Sequence, residues 1–267
     1  MALQFRSVLG GLRALQRHRV SSRSLYDHPI FGPPLISPEE APHIQYSPYE
    51  DVPLPKEHYT EYVWANFESY KDREAIVCGM TGRSYTYEML QSLSQKFGSA
   101  LVRSGAKKGD VLGLVVPNIP EFVIAFMGAA SVGVTLTTMN PTYRPEEIAR
   151  QLENSGSRYV MTIGLFLQNI KQACEIYKGI ESIIVIGMED TPPDCTSFMQ
   201  MAIFDDGSFY EKREDIQADK DILVLPYSSG TTGPPKGVAL THSCIVSNMA
   251  QVSHPKILSF GMGKKDL

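Results

Sequence analysis

Residues 227–238 read Tyr227-Ser228-Ser229-Gly230-Thr231-Thr232-Gly233-Pro234-Pro235-Lys236-Gly237-Val238. Hydroxyls, glycines and one lysine fill this stretch, which lies between apolar runs at residues 221–226 (DILVLP) and 238–240 (VAL). Both runs read as strands, so the segment between them is a loop held at both ends. Ser228, Ser229, Thr231 and Thr232 offer hydroxyl donors. Gly230 and Gly233 let the backbone approach a ligand closely and adopt positive φ, and successive N–H groups in such a loop form a concavity for an anion. Lys236 adds a mobile positive charge able to reach a polyphosphate. The bland alternative is a solvated Ser/Gly/Thr linker, and apolar runs at both ends argue against it. For Lys236 taken alone, a solvated loop lysine stays an open alternative.

Working outward, strand and helix signals alternate. Residues 75–78 and 84–87 read as a hairpin with turn chemistry at Thr81-Gly82. Thr86 is placed to cap a helix with Glu88 in its first turn. Leu90, Leu93, Phe97, Ala100 and Leu101 continue that helix at helical spacing, and Gly105 stops it. Residues 111–116 form a continuous apolar run, which suits a strand buried on both faces. Pro120-Glu121 opens a second helix, residues 134–139 read as a strand, and Pro145-Glu146-Glu147 opens a third helix ending near Gly156. A strand at 159–162, a helix at 166–177 and a strand at 182–186 complete the series. This is the pattern of an α/β fold: a mainly parallel sheet with helices on both faces. Such sheets bind ligands beyond the carboxyl ends of their strands, and the 227–238 loop follows a strand at such a place.

Residues 122–143 carry no charge, so a membrane-spanning helix has to be weighed. The stretch also contains Gly128, Gly133, Thr135, Thr137, Thr138, Asn140 and Pro141. A buried helix followed by a buried strand explains those breakers better, and no transmembrane segment is expected. Cys78, Cys174, Cys195 and Cys244 form no CxxC pair, which fits free thiols rather than a disulfide framework or a metal site. His43, His58 and His254 show no partner in the sequence, and His242, just after Thr241, is expected to cap or pack rather than catalyse.

Charge is divided unevenly. The net charge is −4, yet residues 1–26 hold Arg6, Arg13, Arg17, Arg19 and Arg23 and no acid. Five of the 25 basic residues therefore lie there, leaving 20 against 29 acids, or −9, in the remainder. An acidic body argues against a nucleic-acid partner. Residues 1–25 are Arg-rich, Ser-containing and acid-free, with Leu3, Val8, Leu12 and Leu15 roughly on one side of a helix. That is the composition of a mitochondrial presequence; a basic surface tail is the alternative, with a peroxisomal or cytosolic setting. Residues 26–55 are rich in proline, which favours an extended arm, or equally a disordered linker. Residues 56–267 form the body.

The loop does not have Walker A spacing, because Lys236 follows Pro235 and precedes Gly237. It resembles the signature loop of the AMP-forming adenylating enzymes: acyl-CoA synthetases, 4-coumarate–CoA ligase and the beetle luciferases. Lys107-Lys108-Gly109-Asp110, Pro117-Asn118, Asn140-Pro141 and Pro145-Glu146-Glu147-Ile148 are similar to that family in order and spacing. Arg144 departs from it, standing where a Ser or Thr helix cap is common. The resemblance runs from about residue 50 to the end and covers roughly the first half of such an enzyme, the N-terminal part of its large domain.

What the resemblance implies is ATP-dependent activation of a carboxylic acid, a fatty acid above all, to an acyl-adenylate and then to acyl-CoA. ATP, Mg²⁺ and coenzyme A are the implied cofactors, with the Mg²⁺ ligands mostly beyond this chain. ATP is assigned to Ser228, Ser229, Gly230, Thr231, Thr232, Gly233, Lys236 and Gly237, and Thr231, Thr232 and Lys236 act on the transferring phosphates. The family's later motifs do not occur, so activity is expected of a longer form and the sheet is expected to end with an unpaired edge. The alternative is a truncated, catalytically inactive ATP-binding or interaction isoform.

Overall fold

A computed structural model describes residues 51–211, 213, 215–228 and 235–254. Residues Leu54–Ile257 form one compact unit. It opens with a short helix α1 (Tyr59–Val63), a 3₁₀ turn (Phe67–Ser69) and an antiparallel hairpin of β1 (Glu74–Val77) and β2 (Ser84–Thr86). Helix α2 (Tyr87–Arg103) starts where its cap is read: the Thr86 hydroxyl accepts the Met89 N–H at 3.2 Å. Strand β3 (Val111–Val115) is buried at every position. Then come α3 (Pro120–Ser131), β4 (Thr135–Thr138), α4 (Pro145–Ser155), β5 (Ser157–Ile163), α5 (Leu167–Ile176), β6 (Ser182–Ile186) and β7 (Thr196–Ser197). A π-helical turn (Gln200–Phe204) and a long connection lead to β8 (Ile222–Val224). The chain continues as β9 (Tyr227–Ser228), β10 (Lys236–Gly237), β11 (Leu240–Thr241) and α6 (His242–Val252).

Seven strands form the main sheet in the order β11-β8-β4-β3-β5-β6-β7, with every neighbouring pair parallel except β11 and β8. Period-two alternation divides its side chains between two cores. Leu112, Leu114, Tyr159, Met161, Ile184 and Ile186 pack with Phe97, Leu101, Ile124 and Ala129 of α2 and α3. Val115, Val160, Ile183 and Val185 pack with Ile148, Leu152 and Ile170 of α4 and α5. The sheet is thus covered on both faces, as the sequence pattern implies. The uncharged 122–143 stretch is buried helix α3 and strand β4, and no helix among the described residues is long and apolar enough to cross a membrane.

Two local expectations are corrected. The run 238–240 is not a strand of its own: Val238 is exposed, and only Leu240 joins Thr241 in a two-residue edge strand. The pairing that closes the loop falls earlier, on Lys236-Gly237. At α4 the missing hydroxyl cap is partly offset. The Glu147 carboxylate accepts the Arg144 N–H at 2.9 Å, and that bond is the first cause of its lowered pKa.

Candidate functional site

Strand β8 reaches the loop along a rail of threonines. The Thr135 hydroxyl donates to the Ile222 carbonyl and the Thr137 hydroxyl to the Leu225 carbonyl, each at 2.8 Å. The Leu225 N–H returns to the Leu136 carbonyl at 2.7 Å. Behind this rail lies Gln151 of α4, buried, whose carboxamide donates to Thr137 Oγ1 at 2.9 Å and to the Thr138 carbonyl at 3.0 Å. A buried polar chain with its partners made is rigid and specific. It runs here from α4 through β4 to the residue two before Tyr227.

Beyond Pro226 the chain leaves the main sheet as a two-stranded ribbon. Gly237 pairs with Tyr227 and Lys236 with Ser228, and the Val238 N–H donates to the Pro226 carbonyl at 2.9 Å across its base. Directly opposed residues of an antiparallel pair project from the same face. Ser228 and Lys236 therefore send a hydroxyl and an ammonium from one side of the ribbon, and both are exposed. Gly237 is needed for contact: a Cβ there would lie 3.0 Å from Cζ of the Tyr227 ring. Ser229, Gly230, Thr231, Thr232 and Gly233 lie outside the described residues. Of the sequence-predicted site, the structure thus brings together Ser228, Lys236 and Gly237, at the carboxyl end of a parallel strand. A hydroxyl and an ammonium on one exposed face suit an anion such as a polyphosphate.

Beside the ribbon is a cavity of about 580 Å³ at the carboxyl ends of β3 and β4. Leu114, Val116, Phe122 and Met139 line it together with Asn118, Asn140, Gln151 and Tyr227. No side chain lining it is charged. Asn140 folds its mouth, accepting the Thr142 N–H and hydroxyl at 3.0 and 2.9 Å. Sequence reasoning found Asn118 and Asn140 only as spacing markers. It missed Gln151, which reads as one more polar residue of an amphipathic helix.

At the α6 start His242 packs, one of the two roles expected of it. Thr241 is the cap, accepting the Cys244 N–H at 3.3 Å, and His242 packs inward, 1 % exposed. Its Nδ1 accepts the Tyr59 N–H at 3.3 Å, and its ring meets the edge of His58 with centroids 5.9 Å apart. Burial, then the neighbouring His58, push the His242 pKa down to about 4. His58, for which no partner is legible in the sequence, bonds Thr60 Oγ1 at 3.0 Å and lies 3.6 Å from the Glu61 carboxylate.

A doubly covered parallel sheet with a glycine- and hydroxyl-rich anion loop at a strand's carboxyl end, in this order of motifs, defines the N-terminal part of an adenylate-forming domain. A family model described as AMP-binding enzyme matches residues 63–266, and the chain belongs to that family. It is 35% identical over 190 residues to 4-coumarate–CoA ligase 3 of Arabidopsis thaliana, covering 71% of this chain and 33% of that protein. A 4-coumarate–CoA ligase of Humulus lupulus is 37% identical over 193 residues, covering 71% and 34%. The chain thus covers about a third of these curated relatives. Among solved structures, a long-chain-fatty-acid–CoA ligase of Archaeoglobus fulgidus superposes with a TM-score of 0.68 at 25% identity, over 76% of this chain and 40% of that one. An anthranilate–CoA ligase in complex with anthranoyl-AMP gives 0.65 at 26% identity, over 72% and 36%.

Proposed function

We propose that this chain is the phosphate-loop portion of a ligase that activates a carboxylic acid with ATP and passes the acyl group to coenzyme A. The observation that carries the reading is the ribbon at the end of β8, with Ser228 and Lys236 on one face. In the first step a carboxylate oxygen attacks the α-phosphorus, the bond to the bridging oxygen breaks, and pyrophosphate leaves with the electron pair. Phosphoryl-type transfer depends on positioning and on offsetting charge. Lys236 and the hydroxyls of Ser228, Ser229, Thr231 and Thr232 do this on the β and γ oxygens, and Gly230, Gly233 and Gly237 allow the backbone to approach. Mg²⁺, when bound, would supply further charge neutralisation on these oxygens, its ligands expected mostly beyond this chain. In the second step the thiol takes the acyl group and AMP departs. The charge-free cavity suits the uncharged part of an organic substrate. A fatty acid is favoured by the likeness to a long-chain-fatty-acid ligase and by the Arg-rich segment at residues 1–25, whose composition supports a mitochondrial setting; hydroxycinnamates are the competing class.

The test is acid-dependent exchange of labelled pyrophosphate into ATP by the longer protein, run with fatty acids and hydroxycinnamates in parallel. Exchange with either class supports the adenylating reading, and the class that works names the substrate. Lys236→Ala is expected to lower the rate about a hundred-fold, the scale for removing one charge-stabilising donor. No exchange with any acid sinks the reading. Residues 1–267 alone are expected to be silent; turnover by them would show that the remainder of the domain is dispensable. If the longer protein is also silent yet residues 1–267 bind ATP, the non-catalytic nucleotide-binding reading takes its place.

A further inference from the structure

We infer that Asn154 is a positioning residue for the phosphate loop, acting through Tyr227; the inference rests on the loop's reading as a phosphate site. The Tyr227 hydroxyl donates to the Asn154 carboxamide oxygen at 2.5 Å, across 73 residues of chain. Tyr227 immediately precedes Ser228, so whatever fixes the tyrosine fixes the exit of the loop from the sheet. Its ring lies against Gly237 on the returning strand, so the same contact sets the loop's re-entry next to Lys236. One side chain thereby governs both ends of the loop.

The helix that supplies the anchor is well placed for the task. Asn154 belongs to the last turn of α4, whose Ile148 and Leu152 are fully buried against the sheet. Gln151 and Asn154 are three apart on that helix and so lie on one face. Through Thr137, Gln151 holds the carbonyl of Leu225; directly, Asn154 holds the side chain of Tyr227. Leu225 and Tyr227 are two apart on an extended chain, about 6.6 Å. Two carboxamides separated by about 4.5 Å of helix thus clamp two successive same-side positions just before the loop. The first clamp is buried and the second exposed, so removing the second leaves the strand in place while freeing the ribbon.

The experiment uses the longer protein carrying Asn154→Ala, Tyr227→Phe, both together, and Asn154→Asp, which keeps an acceptor at the same place. Two readouts are taken: amide hydrogen exchange over residues 227–238, and the KM values for ATP and for the acid. We expect each single variant to speed exchange across the ribbon and to raise the ATP KM about two- to ten-fold, the worth of one hydrogen bond. In Asn154→Ala, which lies outside the cavity lining, the acid KM should stay put; the double variant should be no worse than the worse single one in amide exchange and ATP KM, and Asn154→Asp should behave as wild type. Unchanged amide exchange in Asn154→Ala and Tyr227→Phe overturns the inference, and so do additive effects or an equal loss for both substrates in Asn154→Ala. An inactive wild type would defeat the ligase reading instead, and amide exchange alone would still judge the anchor.

Discussion

The His242 ring is neutral in the folded state, because Nδ1 accepts the Tyr59 N–H and the remaining proton sits on Nε2. Burial is the largest cause; of the groups facing the ring, His58 and Lys108 also oppose a positive charge and Asp221 favours one. The folded pKa of about 4 lies below the ordinary value of 6.5. Between those values the unfolded chain binds a proton that the folded chain refuses, so stability falls as pH drops from about 6.5 to about 4. The loss levels off below, when both states are protonated, and amounts to about 3 kcal/mol at most. Urea unfolding at pH 7, 5.5 and 4.5 should show that slope in wild type. It should show a flatter one in His242→Gln, which keeps an acceptor but does not titrate; identical slopes would remove the assignment. The sequence allowed His242 to be read as capping or packing, and the structure gives the cap to Thr241 and the packing to His242. The ring contact between His58 and His242 was not legible, since the two lie 184 residues apart and no local spacing encodes such a pair. The same holds for Asn154 and Gln151: Asn154 bonds Tyr227, and Gln151 reaches Leu225 through Thr137, only because the sheet places β8 beside β4. By contrast Ser228, Lys236 and Gly237 were readable, because one contiguous segment contains them.

At the scale of elements, periodicity and capping located helices α2 to α5 and strands β3, β4, β5, β6 and β8, since buried runs and turn residues are local signals. What spacing does not disclose is how closely two helices approach. Helices α2 and α3 cross at a pair of glycines: a Cβ at Gly98 would lie 2.9 Å from the Gly128 carbonyl oxygen, and one at Gly128 would lie 2.5 Å from the Ser94 carbonyl oxygen. Both collisions are with backbone, which cannot swing aside as a side chain does. In an isolated helix, alanine is better than glycine by about 1 kcal/mol; here the overpacking reverses the sign. Gly128→Ala is therefore expected to destabilise the protein by about 1–3 kcal/mol in denaturant titrations. Gly79→Ala is the control: nothing lies within 4 Å of its added Cβ, and its effect should stay within about 0.5 kcal/mol. Equal effects of the two would mean that the helices do not pack through this contact. The returning strand lies at Lys236-Gly237 and not at 238–240, because a two-residue strand carries no period and the apolar Val238 is exposed.

At the scale of the molecule, the alternation of strands and helices led to the doubly covered parallel sheet because each buried run demands cover on both faces. Strand order was not legible: nothing local says that β4 and β5 flank β3 on opposite sides. Charge is the whole-molecule property that points beyond this fold. All five arginines of the first 26 residues lie before the first acid, Asp27, whereas the remainder carries nine more acids than bases. A folded acidic domain has no evident use for a segregated basic segment, while a membrane potential that is negative inside draws a cationic segment inward, by about 2.3 kcal/mol per charge per 100 mV. Residues 1–30 fused to a fluorescent protein should therefore direct it to mitochondria. Replacing Arg6, Arg13 and Arg17 together by glutamate should leave the fusion in the cytosol, because Leu3, Val8, Leu12 and Leu15 are kept while the driving charge is inverted. A fusion that stays diffuse with the arginines intact would leave the segment as a basic tail. Recovery of the imported fusion shortened near Ser24 would further show that the acidic body begins its working life without the charges that brought it there.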